Sequence, residues 1–288
     1  MKTRIISAAI IISIVFAVLF TGYRYTTVII TVFIALLATA ASYELLHHIV
    51  KAGTAFRKAA ACVYAAVAFV LTSDIMHGAY DILRGKGSID ERGVSFSITL
   101  LLLSAIVYTV LFTVSIIFKK KEFNITEIFA LLGAPFIYSA AFASLDCIIT
   151  RSGGIYYLLL VINFSSVCDT GAYFTGVFFG RHKLCEHVSP KKTIEGAVGG
   201  VAASLIVTFV LVWAYKAQTN IFVMLGVTVV MCIVGMLGDL FASIIKRSVG
   251  VKDYSNLIPG HGGILDRFDS MLFISPAMLS LMLLGVIK

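Results

Sequence analysis

Apolar residues run through this chain in long uninterrupted blocks rather than in alternations of 3.6 or 2.0, the pattern of segments surrounded by hydrocarbon. A helix crosses a bilayer with about 20 mainly apolar residues. The blocks predict nine such helices, over approximately 5–22, 27–43, 59–76, 95–118, 125–149, 155–179, 197–215, 221–245 and 268–287. The expected fold class is therefore all-α, a polytopic integral membrane protein. Met1-Lys2-Thr3-Arg4 before an apolar run superficially resembles a secretion signal. No small-x-small cleavage site precedes a soluble domain and a second apolar block follows at once, so the segment is read as the first span.

Composition agrees with the pattern. Only 13% of the 288 residues are charged, about half the roughly 25% of a soluble domain, and mean hydropathy is +0.99. The net charge of +8 would suit nucleic acid, but the charges fall in short connections between apolar blocks, and no nucleic-acid partner is expected. With nine spans, the connections on the N-terminal side hold 16 of the 23 Lys and Arg. The bias places the N-terminus in the cytoplasm and the C-terminus outside. Lys119-Lys120-Lys121 reads as a topology anchor, and 44–58 as an interfacial amphipathic helix. Five scattered cysteines lack metal or disulfide spacing and read as buried thiols. Residues 1–150 are generic in character, a scaffold or dimerisation region, whereas 151–288 concentrate the unusual polar residues.

Those residues form two groups. In the eighth block Asp239, Ser243 and Lys246/Arg247 are spaced i, i+4 and i+7/i+8, one stripe on a helix face. Lys252 and the run Pro259-Gly260-His261-Gly262-Gly263-Ile264-Leu265-Asp266-Arg267-Phe268-Asp269 follow. Asp266 and Asp269, at i and i+3, would share the first turn of the last span. Carboxylates on different spans suit Mg²⁺, which takes a few carboxylates plus substrate phosphates. A structural ion pair between Asp239 and Lys246 or Arg247 explains the same spacing equally well. Gly262 and Gly263 allow backbone N–H groups to approach an anion, or simply mark a turn. Lys246, Arg247, Lys252 and Arg267 add cations for a polyphosphate.

The earlier group contains Asp169-Thr170-Gly171-Ala172-Tyr173 and Ser189-Pro190-Lys191-Lys192-Thr193-Ile194-Glu195-Gly196. Asp169, inside an apolar block, should face a polar interior. Thr193 and Glu195 suggest a helix cap or a second ligand-facing edge. Gly176, Gly180, Gly196 and Gly200 are read as surfaces for close helix packing.

The string from Ser243 to Asp269 resembles the signature of phosphatidate cytidylyltransferases, or CDP-diacylglycerol synthases. The two upstream stretches resemble that family's other conserved blocks, in the same order. Ala242 departs from the pattern where an acidic residue is expected, and Glu186 where proline is usual. The resemblance implies that a phosphatidate oxygen attacks the α-phosphorus of CTP and pyrophosphate leaves. It further implies Mg²⁺ on Asp239 and Asp266, with Asp169 and Asp269 orienting the cations or holding a second metal. Lys246, Arg247, Lys252 and Arg267 would neutralise phosphate charge, Lys191 and Lys192 would reach the same cavity, and His261 would serve acid/base work or bind phosphate. Ser243, Gly262, Gly263, Asp169, Glu195 and Asp269 are expected to line the substrate site. The implied assembly is a homodimer in the cytoplasmic membrane, with CTP arriving from the cytoplasm and phosphatidate from the bilayer. The alternatives are a CTP-dependent polyprenol kinase and, from another class, a transporter using Asp169 and Asp239; no inverted repeat supports the latter.

Overall fold

The computed structural model describes residues 2–50, 55–83, 91–117, 125–185, 188–260 and 262–287. Helices dominate, as hydrocarbon requires: a helix satisfies its backbone hydrogen bonds internally where no water can. Among the described residues, seven helical stretches are long and apolar enough to cross a membrane, and two shorter apolar helices, Ile12–Arg24 and Met271–Leu283, fall in the predicted first and ninth spans. The Lys119-Lys120-Lys121 run, Glu186 and His261 lie outside the described residues.

The chain divides into two compact units. The first, Met1–Thr150 with Asp253–Arg267, contains α1 (Lys2–Arg24), α2 (Val28–Ile49), α3 (Ala55–Leu83), α4 (Glu91–Ile117), α5 (Ile125–Ile149) and most of the one-turn α10 (Leu265–Phe268). No separate amphipathic helix spans 44–58: residues 44–49 continue α2 and 55–58 begin α3. Ala38, Ala41, Ala61, Ala65 and Ala68 are fully buried, allowing the close approach on which helix association in lipid depends. The Tyr64 and Tyr108 rings stack 4.4 Å apart, and the Tyr108 hydroxyl donates to the Leu131 carbonyl at 2.7 Å.

The second unit, Arg151–Lys252 with Phe268–Lys288, holds α6 (Gly154–Ile162), α7 (Cys168–Phe179), the hairpin β1 (Lys183–Cys185) and β2 (Ser189–Thr193), α8 (Ile194–Tyr215), α9 (Ile221–Ser248) and α11 (Met271–Leu283). The predicted span 155–179 is interrupted by a π-helical turn, Asn163–Val167. Asn163 Nδ2 donates to the Ser204 carbonyl at 3.1 Å and to Thr208 Oγ1 at 3.0 Å, pinning this turn to α8. Small residues join α7 to α8. A Cβ on Gly200 would stand 2.5 Å from the Cys168 carbonyl oxygen, and one on Gly196 would stand 2.7 Å from that of Ala172.

Candidate active site

In the second unit a cavity of about 610 Å³ opens between α7, α8, α9 and the hairpin. Its polar lining includes Asp169 on α7, Lys183, Lys191 and Lys192 on the hairpin, and Asp239 on α9. The strands pair antiparallel, Lys183 with Thr193 and Cys185 with Ser189. Pro190 lacks a ladder donor and sits where a two-stranded ribbon tolerates it. At the end of β2 the Thr193 side chain caps α8, accepting from Gly196 N at 3.1 Å. One residue into α8, Glu195 accepts from Arg181 N at 3.1 Å, from His182 N at 3.2 Å and from His182 Nδ1 at 2.6 Å. Glu195 therefore closes the base of the hairpin, a local anchor for the lysines beyond it.

Lys192 Nζ donates to Asp239 Oδ2, joining the hairpin to α9. Pairing with Lys246 or Arg247 was the structural alternative for Asp239; Arg247 donates from Nη1 to the Val251 carbonyl at 3.3 Å. Asp169 and Asp269 both lie within electrostatic range of Asp239, and Lys246 within that of Asp269. Three carboxylates thus share one neighbourhood with Lys192 and Lys246, an arrangement held together by compensating charge. Ser243, half-buried, lies one helical turn beyond Asp239 on α9.

Asp266 and Asp269 do not share a helical turn as predicted. Asp266 lies in α10, which ends at Phe268, and Asp269 lies in the link to α11. The Asp269 carboxylate accepts from the next residue's N–H, Ser270 N, at 2.7 Å, a local bond that competes with helix continuation.

Asp266, 7% exposed, accepts through Oδ2 from Tyr254 N at 2.8 Å and from Gly263 N at 3.0 Å within the first unit. The glycine pair accordingly places a backbone donor against a carboxylate of the protein itself. Gly262 has φ +85, a conformation glycine adopts without strain. Lys252 and Arg267 are exposed. His261 lies outside the described residues.

The family model described as "Cytidylyltransferase family" matches residues 2–284. The chain belongs to the cytidylyltransferase family. Among the relatives of this family member is a protein of Staphylococcus haemolyticus (strain JCSC1435), 43% identical over 169 residues, which cover 59% of this chain and 62% of the relative. Proteins of Staphylococcus aureus (strain COL) and Staphylococcus epidermidis (strain ATCC 12228 / FDA PCI 1200) are each 47% identical over 127 residues, covering 44% of this chain and 49% of theirs. All three are named phosphatidate cytidylyltransferase. The chain thus spans about half to three-fifths of the length of these relatives.

Two features of this cytidylyltransferase-family chain were not foreseen from sequence. In the second unit Lys183 and Tyr173 line the cavity, and in the first unit Glu44, from the generic region, accepts from the glycine-rich segment. Lys183 sits beside the Arg181-His182 pair, and only the hairpin register reveals that it shares a wall with Lys191 and Lys192.

Proposed function

We propose that this protein transfers the cytidylyl group of CTP to phosphatidate. A phosphatidate phosphate oxygen forms a bond to the α-phosphorus of CTP, the bond from that phosphorus to the β-bridging oxygen breaks, and pyrophosphate leaves with the displaced electrons. The observation that carries the reading is the Lys192–Asp239 pair in a cavity also lined by Lys183 and Lys191. It combines cations for a triphosphate with a carboxylate at one place, and the relatives' names support the same reaction. Such transfers need positioning and charge neutralisation more than covalent catalysis.

The donors present suit a hard cation. Among the described residues no group of three or more His, Cys, Asp or Glu is gathered to hold a metal ion, and Mg²⁺ characteristically takes one or two carboxylates and completes its shell with phosphates and water. Asp239 and Asp266 are the proposed ligands, with Asp169 and Asp269 available to orient them or to serve a second cation. Bound there, Mg²⁺ would draw charge from the nucleotide phosphates. Lys191, Lys192, Lys246, Arg247, Lys252 and Arg267 are assigned to phosphate charge. The proposed site lies at the cytoplasmic face of the cell membrane, the side favoured by the positive bias of the connections, in a homodimer.

The test is incubation of the purified full chain with phosphatidate, Mg²⁺ and CTP labelled at either the α- or the γ-phosphate. CDP-diacylglycerol carrying the α-label, with γ-label in pyrophosphate, supports the reading. A γ-labelled lipid with CDP released would establish a lipid kinase instead. No turnover of CTP by folded protein would end the proposal and turn attention to transport.

A further inference from the structure

Glu44 lies on α2, more than 200 residues from the glycine-rich segment, yet both belong to the first unit. The residue is 5% exposed. Oε1 accepts from Ser255 Oγ at 2.6 Å and from Ile264 N at 3.0 Å, and Oε2 accepts from Leu265 N at 2.8 Å. A buried carboxylate is costly unless such donors compensate it, and these come from the two ends of one segment.

The neighbouring contacts interlock with this one. Gly263 N donates to Asp266 Oδ2, so three successive backbone N–H groups, 263 to 265, are divided between two carboxylates. Successive N–H groups of this kind form an anion-binding nest, here filled by Asp266 and Glu44. A Cβ on Gly263 would stand 2.5 Å from Glu44 Oε2, so glycine is needed for the carboxylate to approach. One turn along α2, the His48 ring hydrogen-bonds the Tyr254 carbonyl, while the Tyr254 N–H donates to Asp266 Oδ2. The same helix face therefore grips the segment at Tyr254–Ser255 and again at 264–265, on either side of the bend that precedes Asp266.

We propose that Glu44 is a positioning residue. By holding Ser255, Ile264 and Leu265 it sets the orientation of Asp266 for the cytidylyl transfer put forward above, on which this role rests. An apolar α2 would pack as well in lipid, but would leave the Ile264 and Leu265 N–H groups without their acceptors.

The test compares the native full chain with Glu44→Gln and Ser255→Ala by hydrogen exchange and by steady-state kinetics with CTP, phosphatidate and Mg²⁺. Gln keeps the volume of Glu but presents an NH₂ group to backbone donors. The expected result for Glu44→Gln is exchange faster by about tenfold or more at 264 and 265, with α3 and α5 unchanged. Its kcat should fall about 10- to 100-fold, as small misplacements do, while KM for CTP stays within about twofold. Ser255→Ala, which removes one of three donors, should shift the same readouts in the same direction by less. Faster exchange with native kcat in Glu44→Gln, or native exchange at 264 and 265, would overturn the role. If Glu44→Gln does not fold, Ser255→Ala decides: reduced kcat with local exchange supports the role, and native kcat overturns it. Absence of CDP-diacylglycerol from the native protein sinks the reaction itself, an outcome distinct from a native-like variant, which sinks only the role of Glu44.

Discussion

Lys192 on β2 and Asp239 on α9 form an ion pair across 47 residues of sequence, with side chains 25% and 21% exposed. Partial burial makes the pair more than a surface contact, since removing one partner leaves the other charged in a poorly solvated cavity. Lys192→Met should therefore lower kcat/KM for CDP-diacylglycerol formation by about 10²- to 10³-fold, the range for losing one preorganised electrostatic contact. Asp239→Asn should cost a similar factor, and the double variant should fall well short of the product of the two. Additive losses in that double-mutant cycle would show that the two residues act independently.

The cap on α8 gives a stability prediction. Thr193 is buried and accepts from Gly196 N, so Thr193→Ala should cost about 1 kcal/mol and Thr193→Ser much less. Thermal unfolding in a fixed detergent would measure both, and an unchanged midpoint for Thr193→Ala would show that the hydroxyl contributes nothing net.

Two glycines in transmembrane helices should respond differently. Gly200→Ala drives a methyl to within 2.5 Å of the Cys168 carbonyl, and should destabilise by about 1–3 kcal/mol as α7 and α8 separate. Gly226 on α9 has nothing within 4 Å of an added Cβ, so Gly226→Ala should stay within about 1 kcal/mol of native. Equal effects at the two positions would contradict the packing described for α7 and α8.

Metal dependence can be read directly. Chelation with EDTA should abolish CDP-diacylglycerol formation and added Mg²⁺ should restore it. Asp266→Asn should raise the Mg²⁺ concentration for half-maximal rate by at least about tenfold while preserving the fold, because Asn still offers an oxygen to Tyr254 N and Gly263 N. Full activity in EDTA would remove the metal from the scheme.

The membrane helices were legible because hydrocarbon leaves a wide mark: any block of about 20 apolar residues must satisfy its backbone as a helix. The π turn at Asn163–Val167 was not, since it has no side-chain pattern that sets it apart from an α turn and it is pinned by Asn163 meeting Ser204 and Thr208 across helices. The hairpin was equally hidden. Its strands are only 3 and 5 residues long and the second contains Pro190, so no alternation announced them.

By itself the sequence determined that the chain is a bundle of apolar helices, and it marked out the few charged residues set among them. Asp169, Lys192, Asp239 and Asp266 stood out as candidates because charge is expensive in a membrane protein. Tertiary structure decided the pairings. Lys246 lies seven residues beyond Asp239, about 10 Å along the helix axis, whereas the hairpin brings Lys192 directly to it. Glu44 likewise meets Ile264 and Leu265 only because α2 packs beside their segment. Ion pairs and hydrogen bonds depend on a few ångströms of space, and separation along the chain carries no record of that distance.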